Sequence, residues 1–251
     1  MEHYAPAQQV FAAGLIFARM GAMLMAIPGL GETFVPVRVR LSFGILLALI
    51  LFPVIGASVP AIPGDVSGVA FAVIKESAIG LMIGVILRLF MSSLAAAGEI
   101  ISIQSTLGFA QTTNPTQAAP SSTLGTFLGL FGLVLIMTTN MHHLFLSAIV
   151  RSYTLFPFTR PLPLADANAL AIQTVSRSFA LGLQLAAPIV AFSLIFNIAT
   201  GLVGRVMPQF QIFFVASPLM ILLALSIFAL SLGAIGMVWI DHYRDLVGMF
   251  A

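Results

Sequence analysis

The sequence predicts an all-α polytopic membrane protein of about six apolar segments, some of them broken or kinked. Three observations point there. Of 251 residues, 60% are hydrophobic and 7% charged, against roughly 25% charged in a soluble domain, so this chain cannot supply a water-facing surface. The few charges fall between apolar runs long enough to cross a hydrocarbon core of about 30 Å. Prolines and glycines punctuate several of those runs, as is common in membrane helices.

Taken in order, the first run spans residues 10–30 and holds Arg19 near its middle, and residues 41–59 are free of charge. Lys75 and Glu76 open a run over 77–98 that Arg88 interrupts; residues 124–150 and 178–204 each make one span. The last run, 206–240, is charge-free for 35 residues. One straight helix of that length would measure about 50 Å at 1.5 Å per residue, well beyond a bilayer core. A hairpin, a broken helix or a helix covered by protein is expected. Pro53, Pro188, Pro208 and Pro218 supply candidate kinks or breaks. The opening stretch MEHYAPAQQ lacks the basic residues of a cleavable signal peptide, so the first segment is expected to be retained.

Composition also excludes function classes. Cysteine is absent, which removes disulfides, iron–sulfur sites and Cys-based zinc sites. A formal charge of +2 is too small and scattered for a nucleic-acid partner. No nucleophile elbow, Ser/His/Asp set or phosphate-binding loop occurs, so the chain reads as no enzyme and calls for no cofactor. His142 and His143 are adjacent and would point about 100° apart on a helix, so they do not read as a metal site. Six alternating spans would place Arg38, Arg40 and Arg205 on one side and Lys75, Arg151, Arg160, Arg177 and Arg244 on the other; the bias favours cytoplasmic termini.

Charge within apolar runs needs compensation. A cation at the centre of a span costs at least about 2.5–3.5 kcal/mol, so Arg19 and Arg88 are expected to find interhelical or intersubunit partners. Glu76 and Glu99 are the carboxylates at hand, and there are too few acids for a proton relay. Gly80 with Gly84 and Gly125 with Gly129 form small-residue pairs that admit close helix approach.

The stretch 102–122, SIQSTLGFAQTTNPTQAAPSS, is polar yet uncharged; no charge stands between Glu99 and Arg151. Gly108, Pro115 and Pro120 bar a continuous helix. At membrane depth such a segment is tolerated where protein buries it or where it lines a watery cavity.

Three ordered stretches resemble one family across nearly the whole chain. IPGLGETFVPVRVRLSFGILLALILFP carries Pro28, Gly31, Pro36, Arg38, Arg40 and Pro53. IGLMIGVILRLFMSSLAAAGEIISIQSTLGFAQTTNP carries Gly80, Gly84, Arg88, Ala97, Gly98, Gly108, Phe109 and Pro115. GRVMPQFQIFFVASPLMILLAL carries Arg205, Pro208, Gln209, Phe213 and Pro218. These are similar to the signatures of the FliR family, called SctT in virulence systems. The chain departs from many relatives at Met141, before the histidine pair.

The resemblance implies a subunit of a type III export gate, most simply the flagellar one, in the bacterial inner membrane at the basal body. It implies a single integral membrane domain over 1–251. Residues 1–125 would pack like FliP and carry the pore loop, and 126–251 would end in FliQ-like helices. Implied partners are FliP-like and FliQ-like subunits, FlhB-like and FlhA-like membrane proteins, and exported unfolded polypeptides. Segment 106–122 would plug the pore, with Gly108, Phe109, Gln111, Thr112, Thr113, Asn114 and Pro115 at the constriction. Its chemistry agrees: fixed charges would trap one sign of passing chain and repel the other, neutral amides and hydroxyls bond transiently, and Phe109 supplies an apolar gate. Arg19, Arg38, Arg40, Glu76, Arg88, Glu99 and Arg205 are the expected sites of intersubunit charge or packing. A virulence secretion gate and a stand-alone small-molecule secondary transporter are the alternative readings, although the two halves show no self-similarity of the kind many transporters have.

Overall fold

The computed structural model describes residues 7–108, 122–161, 164–209 and 211–250, the side chains of residues 164 and 213 excepted. The described residues form α1 (Ala7–Ala26), α2 (Val37–Ile55), α3 (Val66–Gln104), α4 (Thr123–Thr138), α5 (Met141–Leu155), α6 (Leu164–Val206) and α7 (Ile212–Gly248), with a short 3-10 turn at Gly56–Ser58 and no strand. The protein is an all-α polytopic membrane protein. Among the described residues five helices are long and apolar enough to cross a membrane, and α4 with α5 pass together as a broken sixth.

Several boundaries differ from those expected. The run 124–150 is two helices, because Asn140 takes a left-handed conformation with φ 57°, which a short polar side chain tolerates better than most. Charges do not end the other helices: α3 starts at Val66, before Lys75 and Glu76, and α6 begins well ahead of Arg177. The 35-residue run resolves into the end of α6, a turn at Pro208 and Gln209, and the single helix α7 of 37 residues. Pro208 thus lies between helices, whereas Pro53, Pro188 and Pro218 lie within α2, α6 and α7.

Two compact units make up the chain. The first comprises residues 1–90, 139–174 and 244–251. Its core holds Leu15, Ile16, Met20 and Met23 of α1, Ile79, Ile83 and Leu87 of α3, and Ala148 and Ile149 of α5. Here α1 lies against α3 so closely that a Cβ on Gly80 would collide with the Arg19 carbonyl, and one on Gly84 would stand 2.8 Å from the Met23 carbonyl. Both glycines of that pair therefore do what the small-residue pattern suggests. α2 meets α1 along Gly44, where a Cβ would touch Phe17 and Leu24, and leaves Leu46, Leu49, Ile50 and Val54 exposed.

The second unit comprises residues 91–138 and 175–243. Leu94, Ala97 and Ile101 of α3, Leu128 and Ile136 of α4, Ala186 and Ile189 of α6, and Ala224 and Trp239 of α7 are fully buried. Glycines again set the spacing. A Cβ on Gly98 would collide with the Gly125 backbone, and one on Gly182 would lie 2.9 Å from the Ser93 carbonyl. Gly129, the second member of the other small-residue pair, faces open space.

Candidate functional site

α3 carries Glu76, Arg88 and Glu99, and in the second unit it frames both ends of the uncharged segment. The exit is built on Glu99, whose carboxylate Oε1 accepts the backbone N–H of Ser122. The Ser122 hydroxyl in turn accepts the Gly125 N–H at 3.0 Å, capping α4 in the manner of a helix N-cap serine. The contact of Gly98 with Gly125 lies beside this cap, so the returning chain is seated directly on α3.

At the entry, Gln104 Oε1 accepts a hydrogen bond from the Ser193 hydroxyl at 2.9 Å, mooring the end of α3 to α6. Ser105 is fully buried and its N–H still bonds the Ile101 carbonyl at 2.9 Å. The helix then stops at Thr106, whose φ is 61°. Gly108 is folded back over the preceding turn, where a Cβ would stand 3.5 Å from the Ser102 carbonyl and hydroxyl oxygens. Below the frame, Trp239 Nε1 donates to the Ser93 hydroxyl at 3.1 Å and stacks on Tyr243 at 4.9 Å. Thr106 also borders a pocket of about 280 Å³ that Phe196, Asn197, Thr200, Ile212 and Met220 help to line. Phe109, Gln111, Thr112, Thr113, Asn114 and Pro115 lie outside the described residues.

The first unit brings together a different set. Arg19 and Glu76 form a buried ion pair at 2.6 Å, with side chains 1% and 2% exposed. Each guanidinium nitrogen has an acceptor: Nε donates to Glu76, Nη1 to the Ser152 carbonyl at 2.9 Å and Nη2 to the Phe156 carbonyl at 2.8 Å. Its plane lies over the Tyr153 ring at 4.3 Å and near Phe158 at 5.2 Å, a favourable placement for a desolvated cation. Lys75 donates to the Phe158 carbonyl, and the Tyr153 hydroxyl to that of Ile16. At the end of α5 the Ser152 carbonyl therefore accepts both the Phe156 N–H at 2.9 Å and the Arg19 cation, and the Phe156 carbonyl just past the helix accepts Arg19 as well, a placement of positive charge that suits the negative end of the helix dipole. Sequence reasoning named both members of the ion pair but neither carbonyl acceptor nor Tyr153, since backbone oxygens freed at a helix end leave no mark in residue identity.

The remaining predicted charges are more exposed. Arg88 lies 3.8 Å from Glu32 with its side chain 49% exposed. Arg38 stands in the first turn of α2, Arg40 reaches the Met25 sulfur at 3.7 Å, and Arg205 ends α6 in the open. The rings of His142 and His143 are 4.3 Å apart. Among the described residues no group of three or more His, Asp or Glu is arranged to hold a metal ion.

Comparisons with known proteins identify relatives along nearly the whole chain. The family described as bacterial export proteins, family 1, matches residues 10–246. The flagellar biosynthetic protein FliR of Caulobacter vibrioides is 59% identical over 250 residues, covering 100% of both chains. FliR of Bacillus subtilis is 30% identical over 82% of this chain and 80% of its own, and FliR of Escherichia coli is 30% identical over 84% and 80%. On matches that run over nearly the whole length, the chain belongs to the bacterial export proteins of the FliR/SctT family.

Proposed function

We infer that the chain is a membrane subunit of the flagellar export apparatus and contributes to the channel through which unfolded flagellar proteins cross the inner membrane at the basal body. Likeness over its full length to a flagellar biosynthetic protein supports the first part. In this reading the chain assembles with FliP-like and FliQ-like subunits, beside FlhB-like and FlhA-like proteins. Residues 1–125 pack as a FliP-like part and 126–251 end in FliQ-like helices, a division by partner that is separate from the two compact units.

Segment 106–122 is the plug of that channel. One observation carries this reading: a segment without a single charge leaves α3 at Thr106 and returns to the same helix at Glu99, through Ser122. Such a loop has fixed roots and neutral contents, which suits a seal that unfolded chains of either charge must displace. Gly108, folded over Ser102, adds backbone freedom near its entry.

Deleting residues 108–116 tests the plug. The assembly is expected to form, and small-ion conductance across the membrane to rise well above that of the parent; Phe109→Ala should leak less than the deletion. Unchanged conductance in the deletion would overturn the plug reading.

A further inference from the structure

Thr106 sits in a conformation that L-residues avoid. At φ 61° its branched Cβ crowds the backbone, and glycine is the usual occupant of such a helix-ending position. The turn also isolates two hydroxyls. Thr106 Oγ1 and Ser102 Oγ are both buried and have no hydrogen-bond partner among the described residues. Elsewhere in the chain Ser42, Thr126, Thr138, Thr174 and Ser226 each donate to the carbonyl four residues back.

The satisfied arrangement exists in the same unit. Ser122 and Thr126 have the same spacing as Ser102 and Thr106, and there the Ser122 carbonyl accepts both the Thr126 N–H at 2.9 Å and its hydroxyl at 3.2 Å. At Thr106 the N–H instead bonds the Ile103 carbonyl at 3.2 Å. We propose that Thr106 is a strained pivot with a second, right-handed state in which α3 runs on past it and the Ser102 carbonyl accepts both its N–H and its hydroxyl.

Turning the Thr106 backbone from left- to right-handed, with a small adjustment at Ser105, would then relieve the strain and partner the Thr106 hydroxyl. The bonds of Gln104 and Ser105 hold the helix side of the pivot fixed, and Glu99 holds the exit at Ser122. The pocket of about 280 Å³ beside Thr106 leaves room for the rearrangement. The pivot's use as a plug hinge rests on the channel reading above, whereas its existence does not.

A copper-binding pair tests it in the full-length chain. Ile103→His with Leu107→His places two imidazoles one turn apart, so they chelate Cu²⁺ only when residues 103–107 are continuous helix. Thr106→Gly, which removes the left-handed penalty and so preserves the fold seen here, should weaken Cu²⁺ binding by roughly 5- to 30-fold as the helical fraction falls. Thr106→Ala keeps that penalty and should bind more tightly than Thr106→Gly. The chain without the added pair sets the background from its own histidines. Equal affinity with Thr106 and with Thr106→Gly, or no binding by the pair in either, would overturn the pivot. Conductance of the 108–116 deletion bears on the plug alone, so either reading can fail without the other.

Discussion

Removing the Arg19 side chain leaves the Glu76 carboxylate buried without its cation and takes one donor each from the Ser152 and Phe156 carbonyls, of which Ser152 keeps the Phe156 N–H. Breaking a buried pair from one side costs about 3–5 kcal/mol, while replacing both partners with apolar groups is often near neutral. Arg19→Ala is therefore expected to destabilise the purified protein by about that amount in thermal unfolding, and Arg19→Met combined with Glu76→Leu to recover most of the loss. A single variant as stable as the parent would contradict a structural role for the pair. Both residues were legible as charges inside apolar runs. Their pairing was not, because 57 positions separate them and no spacing rule connects two helices. Thr106 was unremarked as a backbone strain point for a related reason: its side chain is ordinary, and only the φ angle is unusual.

At the scale of elements, α3 begins with a cap that hydropathy does not reveal. The Asp65 carboxylate accepts the Gly68 N–H at 3.0 Å and a hydrogen bond from the Ser67 hydroxyl, and these bonds hold its pKa below the usual carboxylate value. A lowered folded pKa contributes stability above the unfolded value, near pH 4, and loses it as pH falls through the folded value. The stability gap between the parent and Asp65→Ala should stay constant from pH 5 to 8 and narrow below pH 4. A gap that changes between pH 5 and 8 would assign the effect to another group.

Charge gaps located every span, yet they misjudged helix length. They treat a charge as a helix end, whereas Glu76 is neutralised by Arg19, Lys75 finds the Phe158 carbonyl, and Arg177 is exposed on α6. The break at Asn140 was missed because the apolar run continues through it; the dipeptide Thr139–Asn140 was the available signal. Of the candidate site, the frame at Glu99 and Gly98 was legible only in part. Glycine pairing suggested close contact, but it could not say that Gly125 would meet Gly98 while Gly129 met nothing.

For the whole molecule, the exposed surface argues for company. Val54 is 71% exposed and Leu230 87%, and such surface needs lipid or protein to cover it. Against that background Arg88 is informative, since its contact with Glu32 is long and partly exposed and is worth at most about 1 kcal/mol. Arg88→Ala should leave the stability of the isolated chain within about 1 kcal/mol of the parent. It should lower the yield of the hetero-assembly roughly fivefold or more, which corresponds to at least about 1 kcal/mol of lost interface energy. A normal assembly yield would remove Arg88 from the interface. The all-α membrane class was readable from composition alone, because lipid permits few architectures; the division into two units was not, because it depends on contacts between distant segments.

The composition of the first unit sets a timetable for biogenesis. Residues 1–90 share a core with 244–251, where Leu246, Val247 and Phe250 are buried. Translation needs on the order of ten seconds to cover the stretch between them. Throughout that interval α1 sits in the bilayer with an unfinished core, and Arg19 lacks the carbonyls of Ser152 and Phe156 even after Glu76 has arrived. The earliest-made helix is thus among the last to be completed, which leaves the nascent protein open to insertion factors and quality-control proteases for most of its synthesis.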